Sequence, residues 1–149
     1  MTSSLPQRVI LGFLAGALSV LIFHQGVWGL LHVLNMPGYQ MPIPYSMRPI
    51  PPLGIPAIVN LCFWGGLYGA IFGWLAPRFT LPFWVCGVIM GLVATLVSFF
   101  VVPVIKGTPL GGGWVVNTWV LSVLRNGVGF GLGLGLIYPV LLRIFARKS

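Results

Sequence analysis

Few side chains in this sequence are suited to chemistry, and Arg125 is the sharpest of them. It stands inside a long apolar stretch, and the 149 residues include no Asp or Glu to pair with it. An unpaired guanidinium buried in an apolar medium is costly, so it must find an anion, a group of carbonyls or water. Three partners fit: lipid phosphate reached by snorkelling, a carboxylate on a partner subunit, or an anionic substrate. Asn117 and Asn126 supply polar company nearby in the sequence.

His24 and His32 invite a haem or metal reading, with Met36, Met41 and Met47 as soft thioethers for Cu(I) in the segment that follows. Eight residues along one helix separate the two imidazoles by about 12 Å, too far for both to clamp one iron. The methionines are irregularly spaced among prolines, which suits a stiff extended loop. The ordinary account is that His24 hydrogen-bonds across a bundle and His32 meets solvent. No cofactor is therefore predicted, and haem or copper stands as an alternative. Catalysis by the chain alone has no footing: paired carboxylates and the acid of a triad are missing, and Gly111, Gly112 and Gly113 lack the Lys and Ser or Thr of a phosphate-binding loop.

The elements that must position these residues follow from composition. Apolar residues make up 58% of the chain and charged residues 5%, against about a quarter charged in a soluble domain. Four stretches, 9–34, 56–76, 81–104 and 114–142, are long and apolar enough to cross a hydrocarbon core as helices. The first runs well past the length of a signal-peptide core, so it reads as an uncleaved first helix. The net charge of +8 does not gather into one patch. Its cations stand at the ends of the apolar stretches, and no nucleic-acid module accompanies them, so nucleic acid is not an expected partner.

Placing the N-terminus in the cytoplasm puts Arg8, Arg78, Arg143, Arg147 and Lys148 inside and leaves Arg48 and Lys106 in the outer loops 35–55 and 105–113. The expectation is thus an all-α integral membrane protein of a bacterial inner membrane, with four helices, both termini cytoplasmic and a tail at 143–149. Trp74, Trp84 and Tyr138 then fall near the inner boundary, and Trp28, Trp114 and Trp119 near the outer one. Ser4 and Thr80 stand where they can cap helices that carry Pro6 and Pro82 in their first turns. The short link 77–80 makes helices two and three antiparallel neighbours. Cys62 and Cys86 read as small packing residues at different depths.

Small residues recur at every fourth position. Gly12 and Gly16 in helix one match Gly87 and Gly91 in helix three, while Gly65, Gly69 and Gly73 in helix two match Gly127, Gly131 and Gly135 in helix four. The matching spacing suggests two helix hairpins in parallel repeat. Gly129 and Gly133 add a second groove, so helix four can be approached closely on two sides. Four helices do not obviously offer enough neighbours for so many grooves, which points to oligomerisation or docking on a larger complex.

The run His24-Gln25-Gly26, the segment Pro44-Tyr45-Ser46-Met47 and the run Phe63-Trp64-Gly65-Gly66 together resemble small uncharacterised inner-membrane proteins of proteobacteria. That resemblance covers mainly the first half and implies no activity. Small multidrug exporters depend on a membrane glutamate, absent here, and the polar signatures of fluoride channels are not found. The sequence reads as a non-enzymatic accessory or structural subunit of a membrane complex, or a homo-oligomer. A small transporter or channel with an anion-favouring site at Arg125 is the alternative, and a haem- or copper-binding membrane component is the second.

Overall fold

The structure is a computed structural model that describes residues 3–145. Its frame is four helices, each long and apolar enough to cross a membrane: α1 (Leu5–Leu34), α2 (Ala57–Arg78), α3 (Phe83–Lys106) and α4 (Val116–Phe145). α1 starts earlier than the expected 9 because Ser4 caps it, accepting the Gln7 N–H at 3.4 Å, with Pro6 in the first turn. α3 starts at Phe83, directly after Pro82, so Thr80 lies outside the helix and does not cap it as expected.

Gln7 Nε2 donates to the Phe145 carbonyl at 3.3 Å, so the start of α1 and the finish of α4 share one end of the bundle, the terminal end. The opposite, loop end carries the segments between α1 and α2 and between α3 and α4. The first of these contains a minimal antiparallel ladder, β1 (Pro49–Ile50) with β2 (Ile55–Pro56). Arg147 and Lys148 lie outside the described residues.

Helices approach closely where side chains are absent, and the glycine seams mark where they meet. In the α1–α2 seam, Gly12 and Gly69 face one another so tightly that a methyl on either would collide with the other's carbonyl oxygen, and Gly73 abuts the Arg8 carbonyl. Gly16 lies on the Gly65 carbonyl. In the α3–α4 seam, Gly87 and Gly131 face one another in the same way, Gly135 abuts the Phe83 carbonyl, and Gly91 lies on Asn126 and Gly127. The second groove of α4 is filled as well: Gly129 meets the backbone at Phe23 and His24, and Gly133 meets Ser19 and the Phe23 ring. α4 is therefore packed on two sides, against α3 and α1. Because these grooves are filled within one chain, the expectation that spare grooves require another molecule loses its basis.

Another expectation needs correction. α2 and α3 are joined by a short link, yet their mutual packing is sparse, since α2 seats on α1 and α3 on α4. Tyr138 is fully buried, with its ring edge-on to Phe72 at 5.3 Å and to Phe83 at 5.5 Å. Its hydroxyl donates to the Gly73 carbonyl at 3.2 Å. That carbonyl would pair with the N–H four residues on, but the residue there is Pro77, which has none. Tyr138 thus satisfies a carbonyl that proline leaves free and draws α2 and α4 together.

α1 and α4 are not regular throughout. α1 widens to π-helical turns at Val20–His24, and α4 does so over Val123–Gly131. Carbonyls at the margins of the long stretch are taken up from neighbouring helices: Ser19 Oγ of α1 donates to the Phe130 carbonyl at 2.6 Å, and Thr95 Oγ1 of α3 reaches the Ser122 carbonyl at 3.5 Å. π turns of this kind gather at functional sites more often than chance would place them.

Candidate functional site at the loop end of α1 and α4

The two widened stretches face each other, and the polar residues of the bundle interior collect there. His24 and Gln25 close the wide turns of α1 and are both buried, at 5% and 2% exposure. The loop after α1 supplies their partners. The Tyr45 N–H donates to Gln25 Oε1 at 2.6 Å, which turns the amide nitrogen of Gln25 toward His24 Nδ1 at 3.2 Å. Nδ1 is then the acceptor, so the neutral imidazole carries its proton on Nε2. The Asn126 side chain lies on the α4 side of this ring.

Tyr45 itself sits at φ 57°, a left-handed conformation costing a bulky residue about 1 kcal/mol. Its hydroxyl donates to the Leu21 carbonyl in the widened turn at 2.8 Å, so backbone and side chain together hold it. Farther along, Trp28 Nε1 donates to the Pro42 carbonyl and His32 Nδ1 bonds the Met41 carbonyl, each at 2.7 Å. At the far side, Asn117 Nδ2 donates to the Gly38 carbonyl at 2.9 Å. The proline-rich loop is thereby laid along α1 and fastened to the start of α4.

Arg125 comes from the long π stretch of α4. Its guanidinium carbon lies 4.8 Å from the centroid of the Trp28 ring, within cation–π range. The Trp28 ring in turn lies 5.9 Å from that of His24. Arg125 Nε is buried and has no hydrogen-bond partner among the described residues. One planar cation is therefore shelved on an aromatic ring with its Nε unpaired among the described residues.

Of the residues singled out in the sequence, Arg125 and Asn126 reach this cluster, whereas Asn117 is engaged by the loop backbone at Gly38. His24 and His32 are held by different partners, one buried and one exposed, and Met36 and Met47 are exposed. Among the described residues no three of His, Cys, Asp or Glu gather as metal ligands would. Sequence reasoning missed Trp28 and Tyr45 as members of the cluster. One signal was available: Trp28 stands four residues after His24, on the same helix face. Two of the runs that carry the resemblance, around Gln25 and around Tyr45, meet here, and the third places Gly65 and Gly66 against α1.

Comparison with protein-family models, with curated proteins and with solved structures gives no match. The chemistry of the cluster must be read from its own atoms. It offers a fixed cation, an aromatic shelf and a histidine ring already engaged, which suits holding an anion.

Proposed function

We propose that this chain is a multi-pass protein of a bacterial inner membrane, with both ends cytoplasmic, and that it works as a non-enzymatic accessory or structural subunit of a membrane complex. Four helices of sufficient length and apolarity support the first part. The excess of cations at the terminal end over Arg48 and Lys106 at the loop end supports the orientation.

One observation carries the second part: several hydroxyls of the bundle interior, and the polar groups that face the loop, are occupied in fastening the chain's own backbone. Ser19, Thr95 and Tyr138 reach carbonyls of other helices, while Trp28 and His32 on α1 and Tyr45 in the loop tie helix and loop to each other. Buried polar groups used in this way specify one arrangement. A homo-oligomer is the weaker form of the reading, because the seam glycines find their neighbours within one chain and a second copy brings no acidic side chain to Arg125. A transport path between α1 and α4 would require those helices to part at Gly129 and Gly133, where backbone and side chains are in contact.

Extraction from native membrane in a mild detergent, followed by mass measurement, tests the reading. A stoichiometric protein partner is expected. A chain that stays monomeric at every concentration with no partner would overturn the subunit role, and anion flux through liposomes holding the chain alone would replace it with transport.

A further inference from the structure

We infer that Arg125 and Trp28 form a binding site for the phosphate of an anionic glycerophospholipid in the leaflet on the loop side. The inference rests on the membrane-spanning reading above and adds a ligand to it.

The site is built before any ligand arrives. The Trp28 ring is pinned by its N–H to the Pro42 carbonyl at 2.7 Å, and the Arg125 guanidinium lies 4.8 Å above that ring. Arg125 Nε is buried without a partner among the described residues, and no acidic side chain exists in the sequence to supply one. A guanidinium stays charged, so the charge must be met by something outside the chain. A second copy of the chain brings only more cations.

Depth selects phosphate over a carboxylate on another protein's helix. α4 is 30 residues long, or about 45 Å, and so overhangs a hydrocarbon core of about 30 Å at both ends. Arg125 is nine residues from Val116, about 13 Å down the helix, which sets its Cα only about 6 Å inside the hydrocarbon boundary. An arginine at that depth snorkels to the headgroup level, and a tryptophan with its N–H engaged at the loop end belongs to the same level. A partner's Asp or Glu would have to be buried there at its own cost, whereas lipid phosphate is already present. Planar guanidinium matches phosphate oxygens two at a time.

Charge then selects among lipids. The ammonium or choline of a zwitterionic headgroup finds no acidic side chain anywhere on this chain, so a headgroup of net negative charge is preferred.

The experiment is native mass spectrometry of the full chain in detergent with three probes: phosphatidylglycerol, phosphatidylcholine and free glycerol phosphate. Wild-type protein should retain phosphatidylglycerol in preference to phosphatidylcholine and ignore glycerol phosphate. Arg125→Leu should weaken that retention about tenfold, the scale of one charge-assisted hydrogen-bonded contact. Arg125→Lys should fall between, and Arg48→Gln should match wild type. If Arg125→Leu does not fold, the graded series Arg125→Lys and Arg125→Gln against Arg48→Gln carries the same comparison.

Equal retention by wild type and the Arg125 variants would overturn the site. So would equal retention of both lipids, retention of glycerol phosphate, or loss of a protein partner in Arg125→Leu with lipid unchanged. Recovery of the wild-type chain without detergent would instead sink the membrane reading itself.

Discussion

The two glycine seams are alike at one end and part company at the other. Toward the terminal end, Gly12 on Gly69 and Gly73 on Arg8 in the first seam correspond, position for position, to Gly87 on Gly131 and Gly135 on Phe83 in the second. Toward the loop end, Gly16 still lies on the Gly65 carbonyl, but its counterpart Gly91 lies on the carbonyl of Asn126, one residue short of Gly127. The slip falls inside the long π stretch of α4. The first seam continues as a packing joint, while the second gives up its register where α4 presents Arg125 and Asn126. Close packing and a polar site make opposite demands on a helix, and α4 meets them at different heights.

The strongest test of the likeness is Gly12→Ala beside Gly87→Ala. Each added methyl would collide with a backbone carbonyl that cannot step aside. Both should lose about 3 kcal/mol, equal to within about 1 kcal/mol, measured by thermal unfolding in detergent. Unequal losses would break the correspondence at the terminal end.

The parting of the seams is tested by Gly65→Ala beside Gly127→Ala. At Gly65 a methyl meets Val20 Cγ2 and the Gly16 carbonyl, whereas at Gly127 the nearest atom is Leu92 Cδ2 at 3.3 Å, the tip of a side chain that can rotate. We expect a loss of about 2 kcal/mol for the first and less than about 1 kcal/mol for the second, where better helix propensity offsets the contact. Similar losses would mean that the slip has no energetic content.

Tyr138→Phe probes the tie between the pairs. Removing the hydroxyl leaves the Gly73 carbonyl opposite Pro77 without a donor, at an expected cost of about 1 kcal/mol, with the Phe72 and Phe83 ring contacts kept. The smallest effect should come from Gly26→Ala, outside both seams. A methyl there meets nothing within 4 Å, so helix propensity alone should act and raise stability by up to about 1 kcal/mol. A loss would reveal a contact that one chain does not make.

Much of this frame is legible in the sequence, because lipid-length apolar stretches and four-residue glycine spacing both follow from helix geometry. The two packed faces of α4 are already implied by that spacing, whereas the meeting of Gly12 with Gly69 is not, because all four helices carry the same spacing. The neighbourhood of α2 and α3 is misjudged because a short link constrains only its own ends, while glycine seams act along whole helices. The cluster at Arg125 is half legible. An arginine without a carboxylate is visible in any reading, but grouping it with Asn117 is not supported, since Asn117 is held at Gly38. Widened turns have no compositional signature, and without them the joining of Gln25 to Tyr45 could not be foreseen.

The wide turn in α1 makes one further feature separable. A π turn takes one residue more than the α turn it replaces, so removing a single residue from Val20–His24 would let α1 close to regular α turns there without swinging what lies beyond it. Gly12 and Gly16, which precede it, would keep their places. Gln25, Trp28 and His32 would keep facing the proline segment, while the widened turn that offers the Leu21 carbonyl to Tyr45 would be lost.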